Sequence, residues 1–258
     1  MFNYYLYLIA SVYIPLAASV AGLILGIIVL SVKVRPTKIL GLGIIFSSLS
    51  GLLSATYNLL LRYGYLELIA RTGTARSAAV FIFSLAVYFC ISFYIHKNYG
   101  KKFIYIPLML IPLAGRIAST TTSMLINKTG NVNSAMPFML SISSNTYTLL
   151  INAAVSIILI AVFYKNRKIE KIIPHTFIFY IIELGWTVIS QGYNIFVYVL
   201  MSIPVRSSPI AISSSSVFLN RAQNVMLFFS VIGVLIGLIL PIYLTVMALK
   251  ASRKTETE

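Results

Sequence analysis

Residues 5–32 read YLYLIASVYIPLAASVAGLILGIIVLSV, a run of apolar and small residues without a single charge. A helix needs about 20 mostly apolar residues to cross the hydrocarbon core of a bilayer. This run is long for the core of a signal peptide, and no basic segment precedes it. We therefore interpret it as a first transmembrane helix that is retained in the protein.

Six further segments meet the same condition of length and apolarity. They predict helices at about 39–61, 77–96, 103–125, 144–164, 174–202 and 222–249. The apolar stretch 135–144 is too short to span and is predicted to be a loop or an extension of the fifth helix. The predicted fold is all-α, a polytopic bundle of seven transmembrane helices in one domain over 1–249, followed by a short tail, 250–258.

The composition of the 258-residue chain agrees with a protein of the cell membrane. Hydrophobic residues make up 59% and charged residues 10%, whereas soluble domains are about 45–50% apolar and about 25% charged. A soluble enzyme and a nucleic-acid partner are therefore excluded. Cys90 is the only cysteine, which excludes an intramolecular disulfide and cysteine-cluster metal sites. The chain also lacks HExxH, GxSxG and P-loop signatures, so we expect neither a bound cofactor nor an enzyme.

The basic residues predict an orientation. The chain holds 20 Lys and Arg against 5 Glu, with no Asp, and 13 of the 20 fall on one predicted side. Those 13 are Lys33, Arg35, Lys38, Lys97, Lys101, Lys102, Lys165, Arg167, Lys168, Lys171, Lys250, Arg253 and Lys254. Because cytoplasmic loops carry an excess of Lys and Arg, we expect an outer N-terminus and a cytoplasmic C-terminus.

The predicted partners follow from that orientation. The basic loops should lie against an anionic cytoplasmic leaflet. The segment YKNRKIEK at 164–171 could instead dock a cytoplasmic protein partner. Small residues recur every fourth position, as at Gly22 and Gly26, and predict close packing between helices of one chain. A homo-oligomer formed through such a face is the alternative.

The sixth predicted helix carries a polar stripe. Its polar residues recur at offsets of three and four, which places them on one helix face: Glu183, Thr187, Ser190, Gln191, Asn194 and Tyr198. A polar stripe on a membrane helix must face protein or water rather than lipid. This helix is therefore the first place to look for a site.

Two charges are predicted to lie deep in the bilayer. Arg116 falls in the fourth predicted helix and Glu183 in the sixth, at similar depths. Since an isolated charge is costly in lipid, we predict that the two form an ion pair near mid-membrane. The pair could be a structural salt bridge, or the floor of a binding site.

Polar residues are also concentrated in the predicted outer halves of several helices, whereas the inner halves are nearly all apolar. A polar pocket that opens outward and is closed toward the cytoplasm would give this pattern, as would polar residues that begin the interface early. The candidate pocket residues are Arg116, Glu183, Thr187, Gln191, Asn194, Tyr57, Asn58, Asn152 and Asn224. They would bind a small-molecule ligand that enters from the outer side.

Seven helices invite comparison with two receptor families, and the motifs of neither are present. Microbial rhodopsins carry a Schiff-base lysine in the last helix, but 222–249 contains none. Rhodopsin-like G-protein-coupled receptors carry an acidic-Arg-Tyr triplet after the third helix, where this chain reads FYIHKNYGKK. Topology alone does not establish homology.

Three functions stay open on the sequence. A receptor or sensor with an outward-facing pocket is favoured by the outer polar bias. A small-solute transporter or channel is the first alternative, and a structural or accessory subunit of a membrane complex is the second.

Overall fold

A computed structural model shows a bundle of long helices, and it describes residues 8–129, 136–168, 173, 175–202 and 212–257. The described ranges contain no β-strand. A π-helical turn, Ile9–Tyr13, leads into the first helix. The helices are α1 (Ile14–Ser31), α2 (Arg35–Arg62), α3 (Leu66–Tyr99), α4 (Tyr105–Thr129), α5 (Met136–Lys165), α6 (Thr176–Ser202) and α7 (Ile212–Thr257).

The prediction of an all-α membrane helix bundle is confirmed at this level. Six helices are long and apolar enough to cross a membrane, which makes the chain a multi-pass membrane protein. The helix outside that set is α6. Its 27 residues are long enough, but Glu183, Gln191 and Asn194 lower its mean hydropathy.

Three helices are longer than the sequence predicts. α3 begins at Leu66 rather than near 77, because an exposed first turn held by an Arg71–Glu67 ion pair at 2.5 Å extends the apolar segment. α5 begins at Met136, so the apolar stretch 135–144 extends that helix as one of the two predictions had it. α7 runs to Thr257, so the predicted tail is largely helical.

The helices form a ring in sequence order. Each helix packs against its neighbours in the chain, and α7 closes the ring by packing against α1 and α2. α1 and α2 cross through small residues, as predicted: a Cβ placed on Gly26 would lie 3.1 Å from the carbonyl oxygen of Gly41. The backbones of the two helices are therefore in contact at this crossing.

The buried core lies at one end of the ring. Its members come from the end of α1, the start of α2, the end of α3, the start of α4 and the corresponding ends of α5, α6 and α7. The most deeply buried include Val29, Tyr94, Ile95, Leu108 and Leu159. The basic residues Lys33, Lys38, Lys97, Lys101, Lys102, Lys165 and Lys250 occur at this same end, which we call the basic end.

At the opposite end, the described residues include buried ones such as Val12 and Val197, but they do not belong to this core. The eight residues 61–68 are all exposed, including Tyr63, Tyr65 and Leu66. α3 and α4 are held together there by few contacts, among them a hydrogen bond from Arg116 to Ser77. Among the described residues the core cluster thus lies at the basic end, and we call the other end the open end.

Candidate functional site

A cavity of about 700 Å³ lies inside the ring. Its walls come from α2, α3, α5, α6 and α7, and no described residue of α1 or α4 lines it. We expected α4 to contribute in place of α3. That expectation was wrong: α4 packs against α3 and α5, but its described residues do not reach the cavity, whereas Ser84, Val87, Tyr88 and Ile91 of α3 do. A volume of this size is typical of small-molecule sites.

The polar stripe of α6 faces this cavity. Glu183, Thr187, Gln191 and Asn194 all line it, and Asn152 reaches it from α5. The remaining stripe residues, Ser190 and Tyr198, line it as well. Five of the nine candidate residues therefore line the cavity, four of them identified by helical spacing on α6, while their role in binding remains a prediction.

The predicted ion pair between Arg116 and Glu183 is absent from the structure. Arg116 is exposed on α4 and donates a hydrogen bond to Ser77 of α3. Glu183 lies on α6, and α4 and α6 are not neighbours in the ring. Similar depth along the membrane normal was therefore not sufficient to predict an ion pair, because α4 and α6 pack against different helices.

Three further candidates also lie away from the cavity wall. Tyr57 is covered by Arg76, whose guanidinium carbon is 3.8 Å from the ring centroid. Asn58 and Asn224 are exposed residues that do not line the cavity. Their helices do reach the cavity, but through other faces, and a single polar residue without a helical repeat gives no information about its face.

Several lining residues were missed by the sequence interpretation. The small hydroxyl residues are Ser47, Ser50, Ser84, Ser156 and Ser230. Ser47 belongs to the small-residue repeat of α2, which the sequence interpretation assigned to helix packing. The available signal was a pair on α5, where Asn152 and Ser156 are four residues apart and share a face.

Glu183 is the one charged side chain among the described residues that line the cavity. Its side chain is accessible to that space, and it forms no ion pair with a described residue. Tyr88 of α3 and Tyr180 of α6 line the same cavity. The electrostatic character of the cavity is therefore set by a single carboxyl group.

Aromatic rings form much of the remaining wall. Trp186 lies one turn from Glu183 and packs edge-to-face on Phe229 of α7, with ring centroids 5.4 Å apart. Deeper in the cavity, Tyr180 stacks on Phe163 of α5 at 5.7 Å. Aromatic faces with a carboxylate nearby can hold either an apolar ligand or an organic cation.

One buried acceptor on the α6 stripe has no donor among the described residues. The side-chain oxygen Oε1 of Gln191 is buried and has no hydrogen-bond partner among the described residues. In contrast, the hydroxyl of Ser84 already donates to the carbonyl of Val80 at 2.9 Å. Buried polar groups are normally satisfied, so this oxygen can accept a hydrogen bond from water or from another donor in the cavity.

The cavity is long in the direction of the helix axes. Its lining on α6 runs from Thr176 to Tyr198, and 22 residues at about 1.5 Å rise span about 33 Å. Toward the basic end the lining includes residues that are also members of the buried core, such as Leu40, Phe163 and Leu244. The cavity therefore ends among tightly packed side chains at that end.

Comparison with protein-family models, curated proteins and solved structures finds no match to this chain. Within the described residues there is also no group of three or more His, Cys, Asp or Glu residues that could hold a metal ion. The chemistry of the cavity is therefore the feature of this chain that bears most directly on function.

Proposed function

We propose that this protein is a seven-helix membrane receptor or sensor, and that it binds a small molecule in its central cavity from the open end. The observation that supports this proposal is the position of the cavity. It is lined by the polar stripe of α6 and ends at the basic end in the buried core.

The proposed orientation places the open end outside and the basic end in the cytoplasm. Seven crossings follow if α6 also spans, and its 27 residues suffice for that. Its polar residues face the cavity instead of lipid, so its lower mean hydropathy is compatible with a membrane-spanning helix. The basic end then lies at the side that positively charged loops prefer.

Transport of a small solute is the second candidate, favoured by the length of the cavity. A lining of about 33 Å along α6 is close to the thickness of the hydrocarbon core. A transporter would have to open the core around Phe163 and Leu244 toward the cytoplasm in a second state. A receptor requires no such opening.

Thiol labelling separates these proposals. Cys90 is the only cysteine, so Cys90→Ala gives a background without thiols. In it, Ser230→Cys places a thiol on the cavity wall, and Thr176→Cys places one at the deep end. Phe228→Cys, at an exposed apolar position beside Ser230, is the lipid-facing control. A membrane-impermeant thiosulfonate is applied from either side of oriented membranes.

A receptor predicts labelling of Ser230→Cys from the outer side and of Thr176→Cys from neither side. A transporter predicts that Thr176→Cys also reacts from the cytoplasmic side. If Ser230→Cys reacts no faster than Phe228→Cys from both sides, the cavity is closed to water and both proposals are wrong. Labelling of Ser230→Cys from the cytoplasm alone would reverse the proposed orientation.

A further inference from the structure

We infer that the natural ligand of the cavity is a small organic cation, with Glu183 as its counter-ion. This inference rests on the proposed function, because it requires that the cavity takes up a ligand. It adds the chemical class of that ligand.

The first reason is the charge of the wall. The described residues around the cavity include one carboxyl group and no Lys, Arg or His. Arg116, the cation expected to neutralise Glu183, instead donates a hydrogen bond to Ser77 of α3. An unpaired charge inside a membrane bundle is costly, and a ligand cation would remove that cost.

The second reason is the wall around the carboxyl group. Trp186 is three residues from Glu183 on the same helix, and Tyr180 is three residues away in the other direction, so both lie on the same face. Tyr88 lines the same cavity from α3. Aromatic faces attract organic cations, most strongly when water is excluded. A bare metal ion would instead need a shell of several oxygen ligands.

The third reason is the pattern of hydrogen-bonding groups. Glu183 and the oxygen of Gln191 are both acceptors that lack a described donor. They lie eight residues apart on α6, which is about 12 Å along the helix. A protonated amine supplies N–H donors and a positive charge, so it can form a hydrogen-bonded ion pair with the carboxylate of Glu183. A second donor on an extended ligand would reach Gln191.

Trp186 makes this inference directly measurable. It is the only tryptophan of the chain, and it lines the cavity next to Glu183. Fluorescence of the purified full-length protein in nanodiscs therefore reports on the site. We would titrate three probes of similar size that differ in charge: benzylammonium, benzyl alcohol and phenylacetate. Sodium chloride at matched concentration is a fourth titration.

We expect a saturable fluorescence change with benzylammonium at a concentration at least tenfold below that needed for benzyl alcohol or phenylacetate. Glu183→Gln should weaken benzylammonium binding at least tenfold and leave benzyl alcohol unchanged. Glu67→Gln is the matched control, because Glu67 is an exposed carboxylate paired with Arg71 at the open end. That variant should bind like the unmodified protein.

Equal binding of the three organic probes, a response to sodium equal to that to benzylammonium, or no response to any probe would overturn the inference. The charge series on the unmodified protein gives this answer even if Glu183→Gln does not fold. The proposed function fails separately, when Ser230→Cys cannot be labelled. A cavity that is labelled but shows no cation preference would leave the receptor proposal standing and refute the ligand class.

Discussion

The crossing of α1 and α2 gives a quantitative prediction about stability. A Cβ added at Gly26 would lie 2.6 Å from Cγ1 of Ile45, 3.1 Å from the carbonyl oxygen of Gly41 and 3.2 Å from the backbone nitrogen of Ile45. Two of these neighbours are backbone atoms, so a rotamer change cannot relieve the contact. Gly26→Ala must therefore separate the helices, and overpacking of this kind costs about 1–3 kcal/mol.

Gly237→Ala is the matched control. Gly237 also belongs to a small-residue repeat, with Gly233, yet a Cβ there would meet nothing within 4 Å. Both variants replace a helical glycine, so the gain in helix propensity, about 0.5–1 kcal/mol, is common to them. The difference between the two variants therefore isolates the packing cost at the α1–α2 crossing.

The buried thiol of Cys90 provides the assay. It is 6% exposed and reacts with a fluorogenic maleimide when the surrounding helices open. When reclosing is fast, the labelling rate follows the population of the open state. A cost of about 1–3 kcal/mol therefore predicts that Gly26→Ala labels about 5- to 150-fold faster than Gly237→Ala. Equal rates for the two variants would show that α1 and α2 do not cross at Gly26.

Three further outcomes follow from the packing. Adding Gly41→Ala to Gly26→Ala should cost less than the sum of the single changes, because the helix separation forced by one substitution already makes room for the other. The stability effects of Arg116→Gln and Glu183→Gln should be additive in unfolding measurements, since the two residues are not in contact. Non-additive effects would show that they form an ion pair after all. On α4, Leu108→Ala at a fully buried position should lower the unfolding free energy by about 2–5 kcal/mol. Leu110→Ala, at a position that is 54% exposed, is the control, and it should change the unfolding free energy by less than about 0.5 kcal/mol.

The helices could be predicted from the sequence because the bilayer imposes a simple condition on length and apolarity. That condition located all the long helices, yet it misplaced the start of α3. Glu67, Arg71 and Arg76 lower the hydropathy there, but they do not end the helix. Helix ends outside the apolar layer depend on local interactions such as the Arg71–Glu67 ion pair, and hydropathy does not report on these.

The candidate site could be predicted where a helical repeat was present. On α6, the offsets of three and four identified a face, and that face borders the cavity. Arg116 had no such repeat, so its depth was known but its direction was not. Direction depends on the order of helices around the ring, and this order comes from packing surfaces such as the Gly26–Gly41 contact. The order of the helices around the ring could not be predicted from this one sequence.

The structure also indicates where a bound ligand would have its effect. Glu183 lies one helical turn from Tyr180, and Tyr180 belongs to the buried core, where it stacks on Phe163. A ligand that moves α6 at Glu183 must therefore also alter the packing of the core at the basic end. A ligand shifts such an equilibrium only by its difference in affinity for the two arrangements. A cation that binds better when α6 is displaced would thus change the spacing of the basic helix ends, where Lys97 and Lys165 are exposed. In the proposed receptor, the core that closes the cavity would in this way carry the signal to the basic end.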